Sequence, residues 1–322
     1  MFTMTCPTMQ TERDLAQLVG IDWGTTHLRA YRIAAGGQVL ERRESSAGIL
    51  TIRNQDFVSA LQPLIADWYA HTRPGPTLPM LLCGMVGSRQ GWCEVPYRSC
   101  PSRISDLASA LTAVDSPWGK ALFVAGLSTE DKHRRYDVMR GEETQIFGCE
   151  LSGQRAIIVT PGTHSKWCIS KDSTIEHFRT YLTGEMFALL RSHSSIGWLM
   201  PDEDRTIQNE ASFLDGVRES RREPNLLHSL FSVRSGALFD QRAAEAHSAY
   251  LSGLLIGSEV HDALRRYRAS MVSVVATASL GRLYEAAILA AGGTAVRRID
   301  AELAVCRGLW NLWETHLKQA KP

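Results

Sequence analysis

The chain has 322 residues, 44% of them apolar and 21% charged, enough for two domains with separate cores. A formal net charge of +1, with both signs mixed along the chain and no charged tail, argues against nucleic acid or a membrane surface as partner. Seven cysteines without a CxxC pair, no basic-then-apolar leader in MFTMTCPTMQTERDLAQ, and no apolar run near the roughly 20 residues of a membrane span point to a reduced, cytoplasmic protein.

In chain order, LVGIDWGTTHLRAYRI (18–33) predicts a strand ending on Asp22, a turn through Gly24, Thr25 and Thr26, and a returning strand. QVLERRES (38–45) reads as a third strand after the Gly36-Gly37 turn. From about Asn54 the spacing of Phe57, Leu61, Leu64, Ile65 and Trp68 predicts a helix, and RPGPTLP (73–79) breaks the pattern. MLLCGMVG (80–87) and ALFVAG (121–126) are apolar without alternation, as buried parallel strands tend to be. Residues 142–151 read as helix, AIIVTPG (156–162) as a buried strand, and THSKWCIS (163–170) as a strand returning from it. Two long helices are expected around 209–221 and 240–267. MVSVVATASLGRLYEAAILAAGG (271–293) predicts a strand, a turn of small residues and a helix ending at Gly292-Gly293; a strand at 295–299 and a helix over 301–317 close the chain.

This mixture of elements is α/β. IDWGTTHLR and VTPGTHSKW are both buried strand, Gly-Thr turn and returning strand with a basic residue, almost half a chain apart. No short repeat period fits that separation, whereas a duplicated domain does.

Backbone N–H groups and hydroxyls gathered in a tight Gly/Thr turn form a nest for phosphate oxygens. Asp22 suits an octahedral Mg²⁺, which favours one or two carboxylates plus waters and phosphates. The plainer alternative is a capped hairpin in which Asp22 and the threonines satisfy local backbone. Neither a GxxxxGK[ST] loop nor a strand-linked GxGxxG is present, and DKHRRYDVMRGEE is not the catalytic loop of protein kinases.

DWGTTHLR and VTPGTHSKW resemble the two phosphate loops of the actin, hexokinase and sugar-kinase superfamily. More closely, IDWGTTHLRAY, GMVGSRQGW, VPY, MRGEETQIFG, PGTHSKW, TGEMFALL and LSGLLIGSEV are similar, in order, to the 2-dehydro-3-deoxygalactonokinase family, from about residue 18 to 300. The resemblance implies ATP-dependent phosphorylation of the 6-hydroxyl of 2-dehydro-3-deoxy-D-galactonate in galactonate catabolism. It also implies two ribonuclease-H-like (actin-like ATPase) domains hinged about a nucleotide and sugar cleft. Residues 18–150 would carry the first phosphate loop and the sugar-acid site, and 151–322 the second loop and the adenosine site. The late turn departs from the superfamily, which usually places glycines there: VVATASLGR has none before Gly281.

The implied cofactors are ATP and Mg²⁺, with Asp22 as the metal carboxylate. Gly24, Thr25, Thr26, Gly162, Thr163 and His164 would cradle phosphates, and Lys166 is either a cation for them or an exposed strand residue. The catalytic carboxylate falls on Glu142 or Glu143. Adjacent helical positions differ by about 100° of azimuth, so only one faces the substrate; Glu143 is the expected one, because Glu143-Thr144 corresponds to the acid-Thr pair of the relatives. The sugar acid would meet the backbone of Gly84, Met85, Val86, Gly87 and Ser88, with Trp92 and Tyr97 as walls. Its carboxylate wants an arginine fork, for which Arg29, Arg89, Arg98, Arg103 and Arg140 are available, Arg103 and Arg140 fitting the family blocks better. Thr277, Ala278 and Ser279 would border the adenosine. A homodimer is left open. The alternatives are a kinase for another sugar acid, a polyphosphate-type phosphatase, or a non-enzymatic sugar sensor, the last disfavoured because 17 residues before the first strand are too few for a helix-turn-helix domain.

Overall fold

The computed structural model describes residues 15–70, 77–150, 155–201, 206–268 and 271–320. The start of the chain and most of the expected break at 73–79 lie outside them. The elements up to Glu150 are β1 (Leu18–Trp23), β2 (Leu28–Ile33), β3 (Val39–Ser45), α1 (Phe57–Ala70), β4 (Met80–Cys83), β5 (Arg98–Ser99), β6 (Ser102–Arg103), α2 (Ile104–Ala108), β7 (Thr112–Ser116), β8 (Gly119–Phe123), β9 (Leu127–Glu130), β10 (Tyr136–Met139) and α3 (Glu142–Phe147). The remainder supplies β11 (Ala156–Thr160), β12 (Ser165–Lys171), β13 (Thr174–Tyr181), α4 (Thr183–His193), α5 (Glu210–Arg222), α6 (Leu226–Leu238), α7 (His247–Tyr267), β14 (Met271–Ala276), α8 (Ala278–Ala290), β15 (Ala295–Asp300) and α9 (Ala301–Ala320).

The chain divides into two compact units, one running up to Glu150 and resuming at Glu302, the other Leu151–Ala301. The expectation that 151–322 forms one domain is thereby corrected, since the last helix packs with the first unit. A Cβ on Gly20 of β1 would lie 2.8 Å from the Leu309 side chain of α9. At Gly308, a side chain would run into the Thr144 carbonyl of α3.

In the first unit the sheet order is β3-β2-β1-β4-β8-β7. β1, β2 and β3 pair antiparallel, and β4 and β8 continue from β1 in parallel. The strands of the second unit run β15-β14-β11-β12-β13. Again three antiparallel strands, β11 to β13, are continued by two parallel ones, β14 and β15. Each unit therefore has the ribonuclease-H-like order, and the two Gly-Thr turns occupy the same place, between the first and second strands of each sheet.

Strand alternation sends Val19, Ile21 and Trp23 to one face of β1, where they join Phe57, Leu61, Ile65 and Trp68 of α1 in a buried cluster. Burying each such side chain contributes about 1.5–3 kcal/mol. Asp22 and Cys83, register partners on β1 and β4, point the other way. In the second unit Trp167, Phe213, Val260, Val274 and Tyr284 gather residues of β12, α5, α7, β14 and α8 into one core.

Several boundaries differ from expectation. The first helix begins at Phe57 because Asn54 and Gln55 adopt left-handed φ of 54° and 59°. The helix expected over 142–151 ends at Phe147. In place of one helix from 240, α7 starts at His247, and the unpredicted α6 precedes it. Among the described residues no helix is long and apolar enough to cross a membrane.

Candidate active site

The first Gly-Thr turn is held from below. Gly24 N donates to the His27 carbonyl at 2.9 Å, and Ile49 N donates to the Gly24 carbonyl at 3.1 Å, leaving Thr25 and Thr26 exposed. Asp22 is the penultimate residue of β1, its side chain 18% exposed, with Arg29 Nη1 at 3.4 Å. Burial pushes its carboxyl above the ordinary range, Arg29 opposes that, and Glu142 adds to it. A carboxylate strained in that sense gains from a cation. Among the described residues no three His, Cys, Asp or Glu gather as a protein-only metal site. One carboxylate completed by water and phosphate is nevertheless the usual donor set for Mg²⁺, so the residues fit that ion.

Beside Asp22, β4 is followed by Gly84, where φ is +91° and a Cβ would lie 2.7 Å from the Trp23 carbonyl oxygen, so only glycine fits. Gly141, at the start of α3, comes against Gly84. The two glutamates that follow behave differently. Glu143 is 0% exposed, and both its oxygens accept from Gly141 N, at 2.9 and 2.8 Å, while the Thr144 hydroxyl donates to it at 3.1 Å. Burial, and then Glu142, push its pKa up to about 7. Glu142 is only half-buried and accepts from Arg140 N at 3.0 Å.

Arg140 is the buried arginine of the five considered, 8% exposed. Its Nη2 donates to the Val95 carbonyl at 2.7 Å, and its guanidinium lies over the ring of Tyr97. Among the described residues, its Nε and Nη1 are buried with no partner, and so is the hydroxyl of Ser88. Gly87 faces the same guanidinium, since a Cβ there would lie 3.0 Å from Nη1. The other candidates are committed elsewhere or exposed. Arg29 pairs with Asp22 and Glu44, and Arg89 with Glu94. Arg98 and Arg103 are exposed, the latter as the N-cap of α2.

The Val86 side chain lies in the core, and Trp92, expected as a substrate wall, is half-buried against that core. Val86 is 0% exposed, and Trp92 stacks on Phe57 at 6.3 Å and meets Phe123 edge-on at 5.6 Å. Met85 is half-buried against the same cluster.

In the second unit, Gly162, Thr163 and Ser279 line one cavity of about 390 Å³. Thr183 and Gly184 of α4, Ser252, Leu255 and Ile256 of α7, and Leu280, Leu283 and Tyr284 of α8 complete most of its wall, with Phe187 beside them. The sequence blocks TGEMFALL and LSGLLIGSEV contain many of these residues, but no chemistry-bearing side chain drew attention to them. Thr277 and Ala278 are exposed at the start of α8 and do not line the cavity. Gly184 packs directly on the Gly162–Thr163 turn, and Glu185 N donates to the Thr163 carbonyl at 3.0 Å. The N-terminus of α4 is thus presented to the turn, with the polarity that favours phosphate. His164 is engaged by Glu185 at 2.5 Å. Lys166 is 3% exposed with Nζ donating to the His164 carbonyl at 3.0 Å, so the exposed alternative does not hold.

Residues 22–312 match the family described as 2-keto-3-deoxy-galactonokinase. The chain is 36% identical over 282 residues to the 2-dehydro-3-deoxygalactonokinase of Escherichia coli strain K12, covering 86% of this chain and 91% of that protein. It is 37% identical over 293 residues to a Rhizobium meliloti strain 1021 protein provisionally given the same activity, DgoK1, covering 90% of this chain and 94% of that one. The crystal structure of a Sinorhizobium meliloti protein, again provisionally so named, superposes with a TM-score of 0.82 at 35% identity, over 95% of this chain and 100% of the other.

Proposed function

Because the chain belongs to the 2-keto-3-deoxy-galactonokinase family, we propose that it transfers the terminal phosphoryl group of ATP to the 6-hydroxyl of 2-dehydro-3-deoxy-D-galactonate. The observation that carries the sugar-acid reading is Arg140. A buried guanidinium with Nε and Nη1 unpartnered is costly to keep unless an anion completes it, and its fork matches a carboxylate. Ser88, with its own unpartnered hydroxyl, supplies a further donor, and Tyr97 walls the guanidinium.

Phosphoryl transfer needs positioning and charge stabilisation rather than covalent work by the protein. ATP is assigned to the cavity of the second unit, with its phosphates toward Gly162, Thr163 and the start of α4, and its base toward Leu280 and Leu283. In the first unit, Thr25 and Thr26, exposed on their own turn, offer donors suited to phosphate. Asp22 would hold Mg²⁺, which when bound neutralises charge on the phosphates. Glu142, which keeps solvent access, is assigned to orient the substrate hydroxyl and accept its proton late in transfer. Glu143, fully enclosed, acts through the Gly141 turn. We place the reaction in the cytoplasm, where the six free cysteines of the described residues stay reduced.

ADP release measured across 2-keto-3-deoxy sugar acids and aldohexoses tests the reading. Release should depend strictly on a sugar acid. Comparable efficiency with an aldohexose overturns the substrate assignment, and sugar-independent hydrolysis at the same rate would indicate a phosphatase.

A further inference from the structure

One buried carboxylate remains outside this chemistry. Glu259 of α7 is 3% exposed and accepts four hydrogen bonds. Ser165 Oγ and Trp167 Nε1 donate to Oε1 at 2.6 and 2.7 Å. Tyr284 OH donates to Oε2 at 2.8 Å, and the Thr183 hydroxyl donates to the same oxygen. Only an ionised carboxylate accepts from four donors at once. A buried ion is expensive, and an apolar side chain would fill the space at lower cost, so packing alone does not account for it.

The donors are not scattered. Ser165 directly follows the Gly162–His164 turn, and Thr183 opens α4, whose Gly184 rests on that turn. Thr183 and Tyr284 both line the 390 Å³ cavity. We infer that Glu259 is a positioning residue of the nucleotide site. It anchors the end of the second phosphate turn through Ser165, and it sets the direction of the Thr183 and Tyr284 hydroxyls in the cavity wall. This rests on the assignment of that cavity to ATP.

Glu259→Gln is the informative variant. Its amide oxygen can face Trp167, whose N–H only donates, and its nitrogen can face Thr183 and Tyr284, whose hydroxyls can accept. Volume is kept, while the direction of the two hydroxyls is reversed. KM for ATP, and Kd of a non-hydrolysable ATP analogue by calorimetry, should rise about tenfold, the scale of one charge-assisted hydrogen bond. KM for the sugar acid should stay within about twofold on the same grounds. Glu259→Asp, which restores the charge, should bring the ATP constants back toward wild type even if it melts no higher than the Gln variant. If Glu259→Gln does not fold, Ser165→Ala removes one donor and should show the same ATP-selective effect on a smaller scale.

Unchanged ATP constants in folded Glu259→Gln overturn the inference. So does a loss shared equally by ATP and sugar acid that tracks the folded fraction. Ser252→Trp, which fills the cavity, separates the two levels. If it still binds the analogue at wild-type affinity, the nucleotide assignment fails and the inference with it. If it loses the analogue while Glu259→Gln stays at wild type, only the role of Glu259 falls.

Discussion

The guanidinium carbon of Arg140 lies 4.3 Å from the centroid of the Tyr97 ring. The ring covers one face of the fork, and the Val95 carbonyl occupies Nη2. Substitution by lysine keeps the charge but loses the paired donors. Arg140→Lys should raise KM for the sugar acid about 10- to 150-fold, corresponding to ~1.5–3 kcal/mol. KM for ATP should not change. Steady-state kinetics with each substrate varied in turn checks this, and equal loss for both substrates would point to a structural role.

Burial raises the pKa of Asp22, so its charged form carries a cost in the folded state. Asp22→Asn relieves that cost, so the variant should melt at or above wild type at pH 8. Turnover should nevertheless fall at least ~10²-fold, because neutralising phosphate charge is worth several kcal/mol in the transition state. Raising Mg²⁺ should recover little. Near-normal turnover in the folded variant would remove Asp22 from the chemistry.

Glu142 and Glu143 separate by kinetics and by pH. Glu142→Gln should lower kcat ~10²–10⁴-fold with little change in KM. Glu143 has a folded value of about 7 against an unfolded 4.5. Between those values the folded state holds a proton the unfolded chain has released, so raising the pH favours unfolding. Its contribution is full below the unfolded value and lost as pH rises through about 7, a swing of about 3 kcal/mol. Asp22, also raised by burial, acts in the same direction. Thermal melts should therefore fall from pH 5 to pH 8, and Glu143→Gln should flatten that decline. An unchanged slope would mean Glu143 does not titrate there. A larger kcat loss in Glu143→Gln than in Glu142→Gln would exchange their assigned roles.

Gly184 sits where no side chain fits, since a Cβ would meet the Gly162 carbonyl. Gly184→Ala should push the start of α4 off the phosphate turn. A displacement near 1 Å can cost about 10²-fold in rate, and the loss should appear in kcat/KM for ATP while analogue calorimetry weakens in parallel. Unaltered ATP kinetics would mean the turn and helix need not touch for binding.

Much of the sheet was legible because apolar runs and alternation register strand faces directly, and the duplicated Gly-Thr turns sit where both sheets need them. α6 was not legible for a physical reason. Leu227, Phe231 and Leu238 are exposed, so apolar residues appear on more than its buried stripe and blur the helical period. Arg140 could not be chosen among five arginines, because what distinguishes it is burial without partners. Glu259 was invisible for a related reason, as Ser165 and Thr183 lie 94 and 76 residues from it in the chain. Trp92 read as a substrate wall because an aromatic beside glycines looks the same whether it faces a ligand or Phe57.

The return of the last helix to the first unit has a bearing on how the protein is made. α9 leaves the ribosome after every strand of both units, yet Gly20 and Thr144 are shaped to receive it. At a synthesis rate of about 5–20 residues per second, the second unit is complete while the first still waits for the helix that covers one face of β1. Of the two units, the one translated first is therefore the one completed later. A chain cut short after Ala301 would keep every strand of both sheets and still leave its N-terminal half open along that face.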